Sequence, residues 1–313
     1  MRASNPAHIA LAADVLKRGG LVAMPTETVY GLAASALDPA AVAKIFAAKG
    51  RPQDNPLIVH VLSLDDARPL VREIPAQARL LAKIFWPGPL TIVLEKSKRV
   101  PEIVSAGLST VALRSPSHPA ARALLQACGL PLAAPSANRS GSPSPTRARH
   151  VLDDLPGIPV LDGGPCAIGV ESTVITLTTP TPMLLRPGGV SLEKLRAVLG
   201  DIKVSAAVTQ QLQPGEAAPS PGMKHRHYAP NAELTLIRGA PEDVARYARE
   251  QGAHLLCLDE NPEEQARQLF AKLRELDALG FKKVFVRCPG KEGIGLAVYN
   301  RLLRAAAFRE IDL

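Results

Sequence analysis

A chain of 313 residues has material for two folded units, and 46% hydrophobic with 21% charged residues is the make-up of an ordinary globular protein. No apolar run reaches the roughly 18 residues a membrane span needs, and residues 1–20 read as an amphipathic helix from near Pro6 rather than a signal peptide, so the cytoplasm is the expected compartment. The net charge of +8 favours an anionic partner such as a nucleotide or RNA, but the basic residues are scattered, and 6 Phe, 4 Tyr and 1 Trp offer no stacking platform for single strands.

After a helical pattern over 7–18, an apolar strand from Leu21 to Met24 runs into the polar loop Pro25-Thr-Glu-Thr-Val-Tyr-Gly-Leu32. The helix 39–48 has clear ends: Asp38 can cap it, Pro39 fits its first position and Gly50 can stop it. Val42, Ile45 and Phe46 follow helical spacing. Beyond it, Lys49-Gly-Arg-Pro-Gln-Asp-Asn-Pro-Leu-Ile-Val-His60 forms a corner in which Pro52 and Pro56 stiffen a loop holding Lys49, Arg51 and Asn55. Arg offers a planar fork for phosphate or carboxylate and Lys a point charge, although Lys-x-Arg alone is more often a solvated basic turn.

The strand 57–62 follows, then helix 76–85, strand 90–94, strand 111–113 with Arg114 at its end, helix 119–127 and strand 132–134. The loop Ala134-Pro-Ser-Ala-Asn-Arg-Ser-Gly-Ser-Pro-Ser144 is dense in hydroxyl and amide groups. Gly169-Val-Glu-Ser-Thr173 leads into strands 174–177 and 183–185, Leu185-Arg-Pro-Gly188 comes next, and helix 191–199 closes the first unit, residues 1–205. The successive strand signals over 171–186 predict some antiparallel pairing in a mixed α/β sheet. Residues 206–232 have linker composition, yet Lys224, His225, Arg226, His227 and Tyr228 cluster between turn formers, which suits a segment folding back over a site. Residues 233–313 alternate strand 233–238, helix 241–250, strand 254–258, helix 262–279, strand 283–287 and helix 294–308, a small Rossmann-like α/β unit with a parallel three-stranded core. Gly293 and Gly295 open its last helix, a turn or packing signal more than a phosphate loop.

The four cysteines, Cys128, Cys166, Cys257 and Cys288, have neither CxxC nor zinc spacing and read as small buried hydrophobes. There is no Walker loop, GxSxG, HExxH or Cys/His pair with an orienting partner. Polar loops at strand ends, three of them carrying Arg51, Arg114 and Arg186, instead suit a site for several anionic groups that works by positioning and charge neutralisation.

These loops resemble the YrdC-like threonylcarbamoyl-AMP synthase family. The resemblance rests on Pro25–Leu32, Lys49-x-Arg51-x3-Asn55-Pro-Leu-Ile-Val-His60, Pro135-Ser-Ala-Asn138, Gly169–Thr173 and Leu185–Gly188. Ser220-Pro-Gly-Met-Lys-His-Arg-His-Tyr-Ala-Pro230 and the trailing domain match the longer, two-domain branch, with His225 standing where an aromatic residue is expected. The resemblance implies a twisted, mostly open mixed sheet with a concave basic face. It also implies a reaction in which L-threonine, bicarbonate and ATP give threonylcarbamoyl-AMP and pyrophosphate. The product would pass to tRNA threonylcarbamoyl-transferase proteins that modify the adenosine beside the anticodon.

Carried over position by position, the threonine site would comprise Thr28, His60, Arg114, the Ala134 backbone and Ser172. ATP, with Mg2+ held mainly by its phosphates, would meet Lys49, Arg51, Asn55, Thr110, Ser136, Asn138, Ser144 and Arg186, with His225 and Tyr228 supplied by the linker as a lid. Glu27 and Glu171 are left open, as orienting groups or Mg2+ ligands. The rival from another class is an RNA-binding module with salt-dependent, threonine-independent affinity. An enzyme of the same domain type using carbamoyl phosphate is a further alternative, against which the lack of zinc-finger cysteine pairs counts.

Overall fold

Short apolar runs and well-capped helices build two sheets in the computed structural model, which describes residues 1–211 and 228–313. The strands of the first sheet are β1 (Val22–Met24), β2 (Gly31–Ser35), β3 (Ile58–His60), β4 (Leu90–Glu95), β5 (Thr110–Arg114), β6 (Leu132–Ala133), β7 (Thr173–Thr176), β8 (Met183–Arg186) and β9 (Lys203–Val204). Between them run α1 (Pro6–Lys17), α2 (Pro39–Lys49), α3 (Leu64–Ala67), α4 (Ala76–Phe85), α5 (Glu102–Ser105), α6 (Pro119–Cys128), α7 (Ala148–Asp154) and α8 (Leu192–Leu199). The second unit holds β10 (Glu233–Arg238), α9 (Pro241–Glu250), β11 (His254–Leu256), α10 (Pro262–Ala278), β12 (Lys283–Arg287), α11 (Gly295–Ala305) and β13 (Glu310–Asp312).

The first sheet has the order β1-β2-β6-β3-β5-β4-β7-β8-β9 and is mixed, with β3–β5, β4–β7 and β8–β9 parallel and the other neighbours antiparallel. The antiparallel β7–β8 pair is the one expected from the strand signals over 171–186. Strand β2 falls partly in a stretch read as polar loop, and its pairing with β1 and β6 makes it a strand. The second sheet, β11-β12-β10-β13, is wholly parallel and gains a fourth strand, β13, beyond the three expected.

Alternation along the strands decides what faces the site. Val59, Ile92, Leu94, Val111, Leu113 and Ile175 point into the main core with Val42, Ile45 and Phe46 of α2 and Leu81 of α4. Residues of opposite parity, Ile58, Val93, Ala112 and Val174, lie on the other face, in a smaller cluster with Ala207. In the second unit, α9 covers one face of the sheet and α10 with α11 cover the other.

That second core is not self-contained: Val29 and Val170, from loops of the first unit, are buried in it. Gly169 makes the approach possible, because a Cβ there would lie 2.4 Å from the Ala266 carbonyl oxygen and 2.5 Å from the Arg267 Cα of α10. Gly295 has the packing role read for it, its Cβ position lying 2.5 Å from the Gly290 carbonyl oxygen. Of the cysteines expected to be buried, Cys257 is exposed and Cys288 half-buried, because both sit at strand ends of the smaller sheet. No helix among the described residues is long and apolar enough to cross a membrane.

Candidate active site

Local sequence shapes the entry corner. Asp38 Oδ1 accepts from the amides of Ala40 and Ala41 at 2.9 and 3.2 Å, and Gly50 ends α2 in the left-handed region at φ 59°. The chain then turns through Arg51 to Pro56 into β3, where period-2 alternation places His60 on the face away from the main core. His60 is opposite Arg114 of β5, and Arg114 is opposite Thr91 of β4. Three strands distant in sequence thus set a polar row across one face of the sheet.

Loops close around this row to form a cavity of about 600 Å3, its mouth included. Of the residues proposed for threonine, Thr28, His60, Arg114, Ala134 and Ser172 all line it, and of those proposed for ATP, so do Arg51, Ser136, Arg186 and Tyr228. Thr26, Gly31, Ile58, Pro135 and Glu171 line it as well. Lys49, Asn55, Asn138 and Ser144 stand behind the lining. Thr110 shares a strand face with Arg114, but four residues of strand, about 13 Å, separate them. His225 lies outside the described residues.

Arg114 is buried, and each of its three nitrogens makes one hydrogen bond. Its Nη2 donates to Glu27 Oε1 at 2.6 Å, Nη1 to the Thr28 hydroxyl at 2.9 Å and Nε to the Gly88 carbonyl at 3.3 Å. Burial alone would raise the pKa of Glu27; the Arg114 guanidinium outweighs it and holds the carboxyl below its usual range. Thr26 links its hydroxyl to Thr28 at 2.8 Å and donates to the Val29 carbonyl, which folds the 25–32 loop over the strand ends. On the opposite wall, Ser172 Oγ and Thr91 Oγ1 are 2.7 Å apart, and Arg186 donates through Nε and Nη2 to the Ser172 carbonyl at 3.1 and 3.0 Å.

Lys49 turns inward. Its Nζ donates to the carbonyls of Ser136 and Asn138, tying α2 to the 134–144 loop, and burial, then Arg51, push its pKa well below the usual value. Asn138 Nδ2 spans the same loop to the carbonyls of Arg139 and Ser142. Arg51 is held more loosely, by the Asn55 and Pro56 carbonyls at 3.3 and 3.4 Å. Buried Arg51 Nε, Asn55 Oδ1, His60 Nδ1 and Asn138 Oδ1 make no hydrogen bond to the described residues. Buried polar atoms are paired as a rule, so this cluster is suited to meeting polar groups of a ligand.

Burial, and next the charge of Arg114, push the His60 pKa down to about 3, so the imidazole is neutral at working pH. An unfolded His60 takes up a proton below about pH 6.5 while the folded one does not, so stability should fall with falling pH, by about 1.4 kcal/mol per unit between pH 6 and 4. The checks are NMR titration of the ring, expected to stay neutral at pH 5, and the shallower acid slope of His60→Asn in denaturant unfolding. A ring that titrates near pH 6.5 would refute the assignment.

A family model described as "Telomere recombination" matches residues 14–188, and the model for the threonylcarbamoyl-AMP synthase C-terminal domain matches residues 190–307. The chain belongs to the threonylcarbamoyl-AMP synthase family. It is 46% identical to the threonylcarbamoyl-AMP synthase of Pyrococcus abyssi over 97% of this chain and 96% of that protein. With the Bacillus subtilis threonylcarbamoyl-AMP synthase it shares 43% identity over 98% of this chain and 95% of the other. The crystal structure of P. abyssi Sua5 complexed with L-threonine superposes with a TM-score of 0.93 at 45% identity, covering 99% of this chain and 97% of that one. This synthase fold is therefore the two-sheet form along nearly its whole length.

Sequence reasoning missed one group in this synthase. Arg301 of α11 is fully buried and bonds Glu171 Oε2 at 2.7 Å across the two units. A signal was present: Arg301 lies three and four residues from Val298 and Ala297, on the apolar stripe of its helix, where an unpaired charge is costly.

Proposed function

We propose that this chain joins L-threonine, bicarbonate and ATP into threonylcarbamoyl-AMP, releasing pyrophosphate, as a cytoplasmic supplier of the threonylcarbamoyl group to tRNA-modifying proteins. The observation that carries this reading is the convergence of Arg51, from a loop, and Arg114 and Arg186, from the ends of β5 and β8, on one cavity beside buried polar atoms without hydrogen-bond partners among the described residues. The threonine amine attacks the bicarbonate carbon, a C–O bond of bicarbonate breaks and water leaves, giving a carbamate. Its carboxylate oxygen bonds to the α-phosphorus as the bond to the pyrophosphate oxygen breaks in line. No covalent nucleophile is required, and the residues supply orientation and neutralisation of charge.

In this reading Thr28, His60, Arg114, the Ala134 backbone and Ser172 hold threonine. Arg51, Asn55, Ser136, Asn138 and Arg186 meet the nucleotide, and Lys49 and Ser144 act by holding the loops that carry those groups. Thr110 would serve only the far end of the nucleotide, and Tyr228, which lines the cavity, would cover it. Mg2+ would arrive with the triphosphate: among the described residues no group of three or more His, Cys, Asp or Glu is placed to hold a metal, and Glu27 and Glu171 are committed to arginines. The division into 1–205, a 206–232 linker and 233–313 is part of the same reading.

Pyrophosphate release from ATP by the purified chain tests it, with threonine and bicarbonate omitted in turn. The expected result is release that needs both and that serine at equal concentration does not support. Release indifferent to threonine would sink the reading and favour RNA binding, to be followed against salt.

A further inference from the structure

Arg301 belongs to the layer over the second sheet, yet among the described residues the hydrogen bonds and ring contact of its head group that leave its own helix are made to the first unit or to Tyr228. Nε donates to Glu171 Oε2, Nη1 donates to the Pro187 carbonyl at 2.9 Å, and the guanidinium carbon lies 5.5 Å from the centre of the Tyr228 ring. Asn300 Oδ1 accepts from the same Nη1 at 2.9 Å, which fixes the plane of the fork. The other oxygen of Glu171 accepts from the Ser144 hydroxyl. Glu171 itself lines the cavity, and the residue after it is Ser172, held by Thr91 and Arg186. Arg301 and the Glu171 it holds therefore tie together the 134–144, 169–173 and 185–188 loops.

We propose that Arg301 is a positioning residue for the synthase site, holding the Glu171 carboxylate of the Ser172 loop against the Ser144 hydroxyl so that the second unit completes a site assembled by the first. This rests on the reading of the cavity as the threonine and nucleotide site. Cohesion alone does not call for such a pair, since well-packed apolar residues of similar volume commonly hold an interface at least as well as a buried ion pair. A planar fork does what they cannot: it fixes direction at two acceptors at once, Glu171 and the Pro187 carbonyl. Small displacements in a site that works by orientation are expensive, with about 1 Å costing on the order of 10²-fold in rate. Neighbouring ties reinforce the strut, with Asn300 Nδ2 donating to the Val208 carbonyl at 2.7 Å and Arg304 Nη2 to the Ala207 carbonyl at 2.6 Å.

Among the described residues, the charged and titratable groups facing Glu171 are Arg301, Arg186 and Tyr228, with the Ser144 hydroxyl bonded to it. Burial raises its pKa, and Arg301 followed by Arg186 and these hydrogen bonds bring it below the usual carboxylate value. Loss of Arg301 should therefore shift Glu171 upward and bring a new acid limb into the pH profile.

The test uses full-length Arg301→Met, Arg301→Lys, Glu171→Gln and the Arg301→Met/Glu171→Gln double variant. Threonine-dependent pyrophosphate release is followed across pH, beside calorimetric L-threonine binding and thermal unfolding. Arg301→Met should lose on the order of 10²-fold in kcat/KM and gain the acid limb, and Arg301→Lys should recover part of the loss. Glu171→Gln should lose a comparable factor, the double variant little more, and its acid limb should vanish. Arg301→Met within about threefold of the parent, or effects of the two substitutions that simply multiply with an unchanged pH profile, would overturn the proposal. Should Arg301→Met fail to fold, the isosteric Glu171→Gln decides: parental kcat/KM in that variant overturns it equally. Failure of the functional reading looks different, because then the parent chain itself shows no threonine dependence.

Discussion

Arg114→Leu should abolish threonine-dependent pyrophosphate release and also destabilise the fold by about 3–5 kcal/mol, the cost of leaving a buried charge unpaired. Arg114 and Glu27 are both buried, their contact is 2.6 Å, and Glu27 Oε2 also accepts from the Ser117 amide at 3.1 Å. Removing the cation strands a carboxylate that cannot reach water without opening the 25–32 loop. Arg51→Ala should behave differently, losing activity with little change in stability, because Arg51 is partly exposed and among the described residues bonds only backbone carbonyls at long range. From the motifs alone both substitutions would be expected to spare the fold; the buried Glu27 partner separates them. Pairing Arg114→Leu with Glu27→Gln should restore much of the stability and none of the activity. Denaturant unfolding and pyrophosphate release decide it, and an Arg114→Leu chain with parental stability would show that Glu27 does not need its partner.

A chain ended at Gln210 should release pyrophosphate at a small fraction of the full-length rate and unfold more readily. The physical reason lies in the shared core. Val29 and Val170 are buried against the second unit, and returning them to water costs about 1.5–3 kcal/mol each. Val29 directly follows Thr28 and Val170 directly precedes Glu171, so the loops that lose their packing are those that line the cavity. Arg274 is lost too, with its 2.6 Å contact to Asp154 and its bond to the Pro143 carbonyl beside Ser144. Comparing thermal unfolding and turnover of the two chains measures both effects. Full turnover by residues 1–210 would reduce the second unit to a tether and remove the basis for a shared site.

Legibility in the sequence followed the range of the signal. The corner at Lys49–His60 could be read because Asp38, Pro39 and Gly50 act on backbone within a turn of themselves. Strand β2 could not: Gly31-Leu-Ala-Ala-Ser has no β-branched residue, and it becomes a strand by pairing with β1 and with β6, about a hundred positions along the chain. Strand β13 likewise exists through its pairing with β10. Lys49 reads as a phosphate cation from its neighbours, while the fold spends its charge on two loop carbonyls. Arg301 reads as one more basic residue in an amphipathic helix until the two units are brought together.

The sequence by itself determined which chemical groups were on offer, the polar loops that carry them and the alternation that puts His60 and Arg114 off the core face, because caps, turns and the two-residue period are short-range constraints. Only the tertiary structure decided which of those groups meet. The order β3-β5-β4 sets β5 between β3 and β4, its register aligns His60, Arg114 and Thr91, and the packing of α11 on the first unit brings Arg301 to Glu171 across 130 residues.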